Sequence, residues 1–166
     1  PFVEDCDRWA KGIFVLVRTS NPSAGELQDL PLQSDEERNP HGFATVVEAV
    51  GHRVEQFNQT RKDATGYGPI GAVVGATYPQ EAARLRSLMP STLFLVPGYG
   101  AQGAGAKDVL PAFDAQGWGA VVNSSRGICY AYRSARWREQ YDETRFAEAA
   151  RAAAEAMRAD IAAVLP

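Results

Sequence analysis

Two short stretches carry residue types suited to holding an anion. Pro97-Gly98-Tyr99-Gly100-Ala101-Gln102-Gly103 is dense in glycine, with Gly105 just beyond. Glycine has no Cβ to keep a ligand away, so backbone amides in such a loop can approach an anion closely. Gln102 adds a side-chain amide that donates to one oxygen while accepting from another group. The same composition serves a tight strand-to-helix connection, and glycine alone does not decide between the two. The second stretch, Asn123-Ser124-Ser125-Arg126-Gly127, supplies charge. The planar fork of Arg126 matches a phosphate, and Gly127 with the amides before it can form a nest or helix start aimed at the same group. A lone Arg after a strand is also a common surface ion-pair partner. The succession of the two loops favours a phosphate site, because barrels often build one after their last two strands.

A third stretch, Arg18-Thr19-Ser20-Asn21-Pro22, offers neutral donors and acceptors. Ser and Asn suit the edge of a heterocyclic base, although turns and helix caps use the same residue types. Pro22 steers Asn21 away from helical geometry. His41 and His52 have no acidic or thiol partner at metal spacing and read as structural, so no metal site is expected. No nucleophile elbow, phosphate-cradling Gly-Lys loop or His-Glu-x-x-His occurs. Cys6 and Cys129 are far apart, which points to reduced thiols in a cytoplasmic protein without structural zinc. The 17 Lys+Arg and 20 Asp+Glu give a formal charge of −3. That argues against nucleic acid or an anionic membrane surface as partner, while leaving room for one bound phosphate. No apolar run approaches the roughly 18 residues that span a bilayer.

Elements must place these loops. At 166 residues the chain suits one domain with a sizeable core. Apolar, β-branched runs at 12–18, 70–75, 92–96 and 119–123 predict strands buried on both faces. Helices are expected over 41–61, 79–88, 106–113 and 143–165. The first of these aligns Phe43, Val46, Val47, Val50, Val54 and Phe57 on one face. The last is rich in alanine. Strands alternating with helices mean parallel βα units, as an open sheet or a (β/α)8 barrel, and periodicity does not choose between them. In either, the ligand sits beyond the carboxyl ends of the strands, where the three stretches fall. Residues 23–39 form a polar, Pro-punctuated stretch of the length expected of a functional loop. Residues 1–10 lack an initiator Met or signal peptide and read as a helix entered mid-chain, so the chain is expected to be a piece of something longer.

Taken together, Val15 to Pro22, Gly75-Ala76-Thr77-Tyr78-Pro79, Leu95 to Gly103 and Val122 to Ile128 resemble the C-terminal half of orotidine 5′-phosphate decarboxylases, in the bacterial subgroup with longer chains. The resemblance covers essentially the whole chain. Its specific part is Pro-Gly-x-Gly-Ala-Gln-Gly followed one helix later by a strand ending in Ser-Ser-Arg-Gly. It implies a (β/α)8 TIM barrel, with residues 1–166 as the C-terminal part of a single domain covering roughly strands five to eight. It implies that Gln102 and Arg126 hold the substrate 5′-phosphate, with an amide of Ser125 or Arg126 adding a donor. Ser20 would contact the pyrimidine amide edge, and Pro97 would line the pocket near the departing carboxylate. Residues 98–105 would close over the phosphate, so that remote binding energy excludes water from the reacting ring.

The implied reaction is loss of CO2 from carbon 6 of orotidine monophosphate, giving UMP in de novo pyrimidine biosynthesis without metal or organic cofactor. A cytoplasmic homodimer comes with the resemblance. The family stabilises and protonates its carbanion-like centre with a lysine in an Asp-x-Lys-x-x-Asp motif. Here Lys11, Lys62 and Lys107 are the only lysines, and none has Asp two before and three after. No catalytic residue is therefore assigned, the N-terminal half of the barrel would have to supply it, and the chain alone is expected not to decarboxylate. The alternative is a non-catalytic phosphate- or nucleotide-binding α/β module using the same loops. A sugar-phosphate epimerase barrel would need paired acids or metal-binding His after the strands, which these positions lack.

Overall fold

The four apolar runs form strands β1 (Ile13–Arg18), β2 (Gly68–Val74), β3 (Thr92–Pro97) and β4 (Ala120–Asn123), as seen in a computed structural model that describes residues 1–33, 35, 37, 39–100 and 103–166. All neighbouring pairs are parallel, and the strands lie side by side in chain order. Such an order is that of a (β/α) barrel wall; a doubly wound sheet reverses direction at a switch point.

Helices separate the strands, as the alternation predicts. They are α1 (Phe2–Trp9), α2 (Gly25–Gln28), α3 (Val46–Asn58), α4 (Pro79–Leu88), α5 (Ala106–Val109), α6 (Ser125–Cys129) and α7 (Phe146–Ala162). The helix expected over 41–61 is shorter at both ends. Thr45 is extended at φ −138°, ψ 163° and bridges to Pro31, so the helix cannot begin before Val46. At the other end the Asn58 side chain leaves the helix to pair with the backbone of Ile70 at both its N–H (3.1 Å) and its C=O (2.8 Å). The helix expected over 143–165 splits into a 3-10 turn, Glu143–Arg145, and α7; Asp142 caps the turn by accepting from the amides of Thr144 and Arg145. Among the described residues no helix is long and apolar enough to cross a membrane.

The core lies between the sheet and its helices. Ile70, Ala72 and Val74 of β2 and Phe94 and Val96 of β3 are fully buried, against Val47 and Val54 of α3 and Ala82 and Leu85 of α4. The expectation of strands buried on both faces fails at the two edges of the sheet: Phe14 and Leu16 of β1 and Val121 of β4 are 45%, 65% and 50% exposed. These side chains alternate with the core-facing ones and stand on the face away from the helices. At the N-terminal ends of β2 and β3 a buried polar cluster ties the helices down. Glu55 accepts from the Ser91 amide and the Thr92 hydroxyl, and Arg86 donates to the carbonyls of Ala112, Met89, Thr92 and Gly119. That end of the sheet is built for stability.

Candidate functional site

At the opposite, carboxyl ends, the loops are stitched together in order. The Gly75 amide donates to the Arg18 carbonyl at 2.7 Å, joining the ends of β1 and β2. The Ala76 amide donates to the Pro97 carbonyl at 2.8 Å, joining β2 to β3. Pro97 pairs in register with Asn123, and just beyond it the Ser124 hydroxyl donates to the Tyr99 carbonyl at 2.8 Å. Ser20, Pro97, Ser125 and Arg126 are therefore carried on one continuous rim.

The rim is not one pocket. Pro97, Gly98, Tyr99, Asn123, Ser124, Ser125 and Arg126 surround a cavity of about 130 Å3. Ser20 lies two strands away, half-buried. Gln102 lies outside the described residues. Arg126 and Ser125 open α6 and are exposed, and among the described residues no ion pair engages the Arg126 guanidinium. Helix α6 begins where the buried Ser124 turns its hydroxyl to Tyr99 rather than capping its own helix.

Backbone hydrogen bonds join the described residues of the glycine-rich stretch. The Gly100 amide donates to the Ala104 carbonyl at 2.8 Å, and the Gly103 amide to the Gly100 carbonyl at 2.9 Å. Gly100 has φ +73°, a left-handed conformation that residues with a Cβ rarely adopt. Tyr99 anchors the loop outward: its hydroxyl meets Asp160 of α7. Burial and that hydrogen bond push the Tyr99 phenol up to about 12.

In the stretch that leaves β1, Arg18 is a buried cation held by Asp29 and Glu81, so the groups the stretch has left to offer are the neutral ones of Thr19, Ser20 and Asn21. Neither carboxylate is near it in sequence, so residue type alone gave no signal. The two histidines are elsewhere. His41, Phe43 and His52 pack ring on ring with centroids 4.5–5.4 Å apart, beside a cavity of about 380 Å3. Burial and the neighbouring His41 lower the pKa of His52. Among the described residues no three His, Cys, Asp or Glu side chains gather as a metal site would need.

No protein-family model matches the chain. Two curated relatives, both named orotidine 5′-phosphate decarboxylase, come from Rhodopirellula baltica and Caldicellulosiruptor bescii. The first is 51% identical over 153 residues, covering 92% of this chain and 48% of the relative. The second is 43% identical over 134 residues, covering 81% and 41%. Among solved structures, Leishmania donovani OMP decarboxylase superposes with a TM-score of 0.64 at 32% identity, over 97% of this chain and 51% of that one. Leishmania donovani UMP synthase superposes with a TM-score of 0.63 at 35% identity, over 91% of this chain and 28% of that one. These neighbours are TIM barrels, and the four parallel strands correspond to part of such a barrel. The chain spans about half the length of the curated relatives it matches, and across that span its homologues are orotidine 5′-phosphate decarboxylases.

Proposed function

We propose that this chain carries the phosphate- and base-binding side of an orotidine 5′-phosphate decarboxylase site, where orotidine monophosphate loses CO2 to give UMP. Arg126 and Gln102 hold the 5′-phosphate, and an amide of Ser125 or Arg126 adds a donor. Ser20 meets the amide edge of the pyrimidine, and Pro97 walls the pocket where the carboxylate departs. Phosphate contacts hold the loop after β3 closed, so that binding energy far from carbon 6 keeps water from the reacting ring.

The observation that supports this reading is the stitched rim, which has Ser20, Pro97, Ser125 and Arg126 at one end of the sheet, with no ion pair on the Arg126 guanidinium among the described residues. The groups that stabilise and protonate the carbanion-like centre lie outside this sequence, which holds no Asp-x-Lys-x-x-Asp. The remaining strands of the barrel, a homodimer and a cytoplasmic setting belong to the same reading. The missing motif also favours a second one, a non-catalytic nucleotide-binding module that uses the same rim.

Titration with UMP tests the site shared by both. Arg126→Ala is expected to weaken binding by about 1.5–3 kcal/mol, the worth of a hydrogen bond to a charged group. Equal affinity in the parent and the variant would remove the phosphate assignment.

A further inference from the structure

We propose that Arg18 is a positioning residue for nucleobase recognition: its buried guanidinium fixes the loop that carries Ser20 without itself touching the ligand. The proposal rests on the reading of Ser20 given above. Arg18 is the last residue of β1 and only 1% exposed. A buried charge is costly unless it is closely paired, and this one is paired on two sides. Its Nη1 lies 2.7 Å from Asp29 Oδ1, just past α2, and its Nη2 donates to Asp29 Oδ2 at 3.3 Å. Nη2 also donates to Glu81 Oε1 at 2.9 Å, and Nε lies 2.8 Å from Glu81 Oε2, in the first turn of α4. The face of the guanidinium sits 4.0 Å from the centroid of the Tyr78 ring. Burial raises the Glu81 pKa above its ordinary value, with Arg18 opposing that rise. One cation thus gathers α2, α4 and the residue before α4 around the end of β1.

The residues that follow are held just as closely. Gln28, in α2, accepts from the Thr19 amide at 3.2 Å and donates to the Thr19 hydroxyl at 3.3 Å. Gly75 lies so close to Ser20 that a Cβ there would come within 2.9 Å of its Cα and N. Thr77 reaches the Ser20 carbonyl at 3.5 Å. An apolar side chain of similar volume would fill the space of Arg18 without desolvating a charge. The forked contacts instead fix the direction in which the chain leaves the strand, and Ser20 is two residues on. Lys would keep the charge opposite the two carboxylates but only part of the geometry, because an ammonium is a point charge rather than a planar fork.

The test compares two probes, UMP and ribose 5-phosphate, which share the phosphate but not the base. Both are titrated into the parent chain and into Arg18→Met, Arg18→Lys and Glu81→Gln. If Arg18 positions Ser20, UMP affinity falls about three- to ten-fold in Arg18→Met and Glu81→Gln, the worth of one neutral hydrogen bond, and less in Arg18→Lys. Ribose 5-phosphate affinity stays unchanged in all three. Should Arg18→Met fail to fold, Glu81→Gln, which leaves Arg18 paired with Asp29, carries the comparison. Unchanged UMP affinity in the folded variants, or an equal loss for both ligands, overturns the proposal. A parent chain that binds ribose 5-phosphate but does not prefer UMP overturns the reading of Ser20 itself. One that binds neither overturns the site.

Discussion

Arg126 stands at the mouth of a small cavity with no ion-pair partner among the described residues, whereas Arg18 is wholly taken up by Asp29 and Glu81. In the sequence both are an arginine at or just past the end of an apolar run. What separates them is fixed by tertiary packing, with partners 11 and 63 residues from Arg18. That Pro97, Ser125 and Arg126 fall at the same end of the sheet could be read from the sequence, because their loops follow directly on strands, and the structure brings them around one cavity. The braces could not, since the hydroxyl of Ser124 and the absent side chain of Gly75 acquire meaning only beside Tyr99 and Ser20. A titration prediction belongs at this scale. Burial and the hydrogen bond it donates to Asp114 at 2.5 Å push the Tyr67 phenol from 10.0 up to about 12. The folded chain holds that proton more tightly than the unfolded one, so this contribution to stability is whole below pH 10 and lost as pH rises toward 12. Denaturant midpoints measured across that window should fall more steeply in the parent than in Tyr67→Phe. Identical slopes would contradict it.

At the scale of elements, strand positions and the extent of α4 could be read from pattern, because apolar runs and a Pro at a helix start are local signals. Burial could not. Runs of equal apolarity give β2 and β3, covered by neighbours, and β1 and β4, which have one strand neighbour each among the described residues. Helices end short of the apolar pattern where a side chain competes with the helix, as Asn58 does by bonding the backbone of β2. The contrast between central and edge strands predicts unequal costs for truncating residues of similar apolarity. Phe94 is fully buried with the Arg86 guanidinium 3.7 Å from its ring centroid, so Phe94→Ala should cost about 3–5 kcal/mol. Leu16 is 65% exposed, and Leu16→Ala should change stability by about 0.5 kcal/mol or less. Chemical denaturation of the two variants beside the parent reads both values.

For the whole molecule, strand order decides what periodicity left open. Parallel strands in unbroken chain order form part of a barrel wall, and a barrel of this class closes by pairing its first strand with its eighth. Phe14, Leu16 and Val121 are exposed on the face of the sheet away from the helices, the face that in a closed barrel is turned to the interior. The lack of an Asp-x-Lys-x-x-Asp and the stitched rim of loops both fit the proposed function, in which recognition and chemistry reside in different halves of a barrel. The central measurement is turnover of orotidine monophosphate by this 166-residue chain, alone and mixed with a polypeptide supplying the first four βα units of a relative. No decarboxylation is expected from the chain alone, and UMP formation is expected on mixing, abolished by Arg126→Ala in this chain. Turnover by the chain alone would contradict the proposed function.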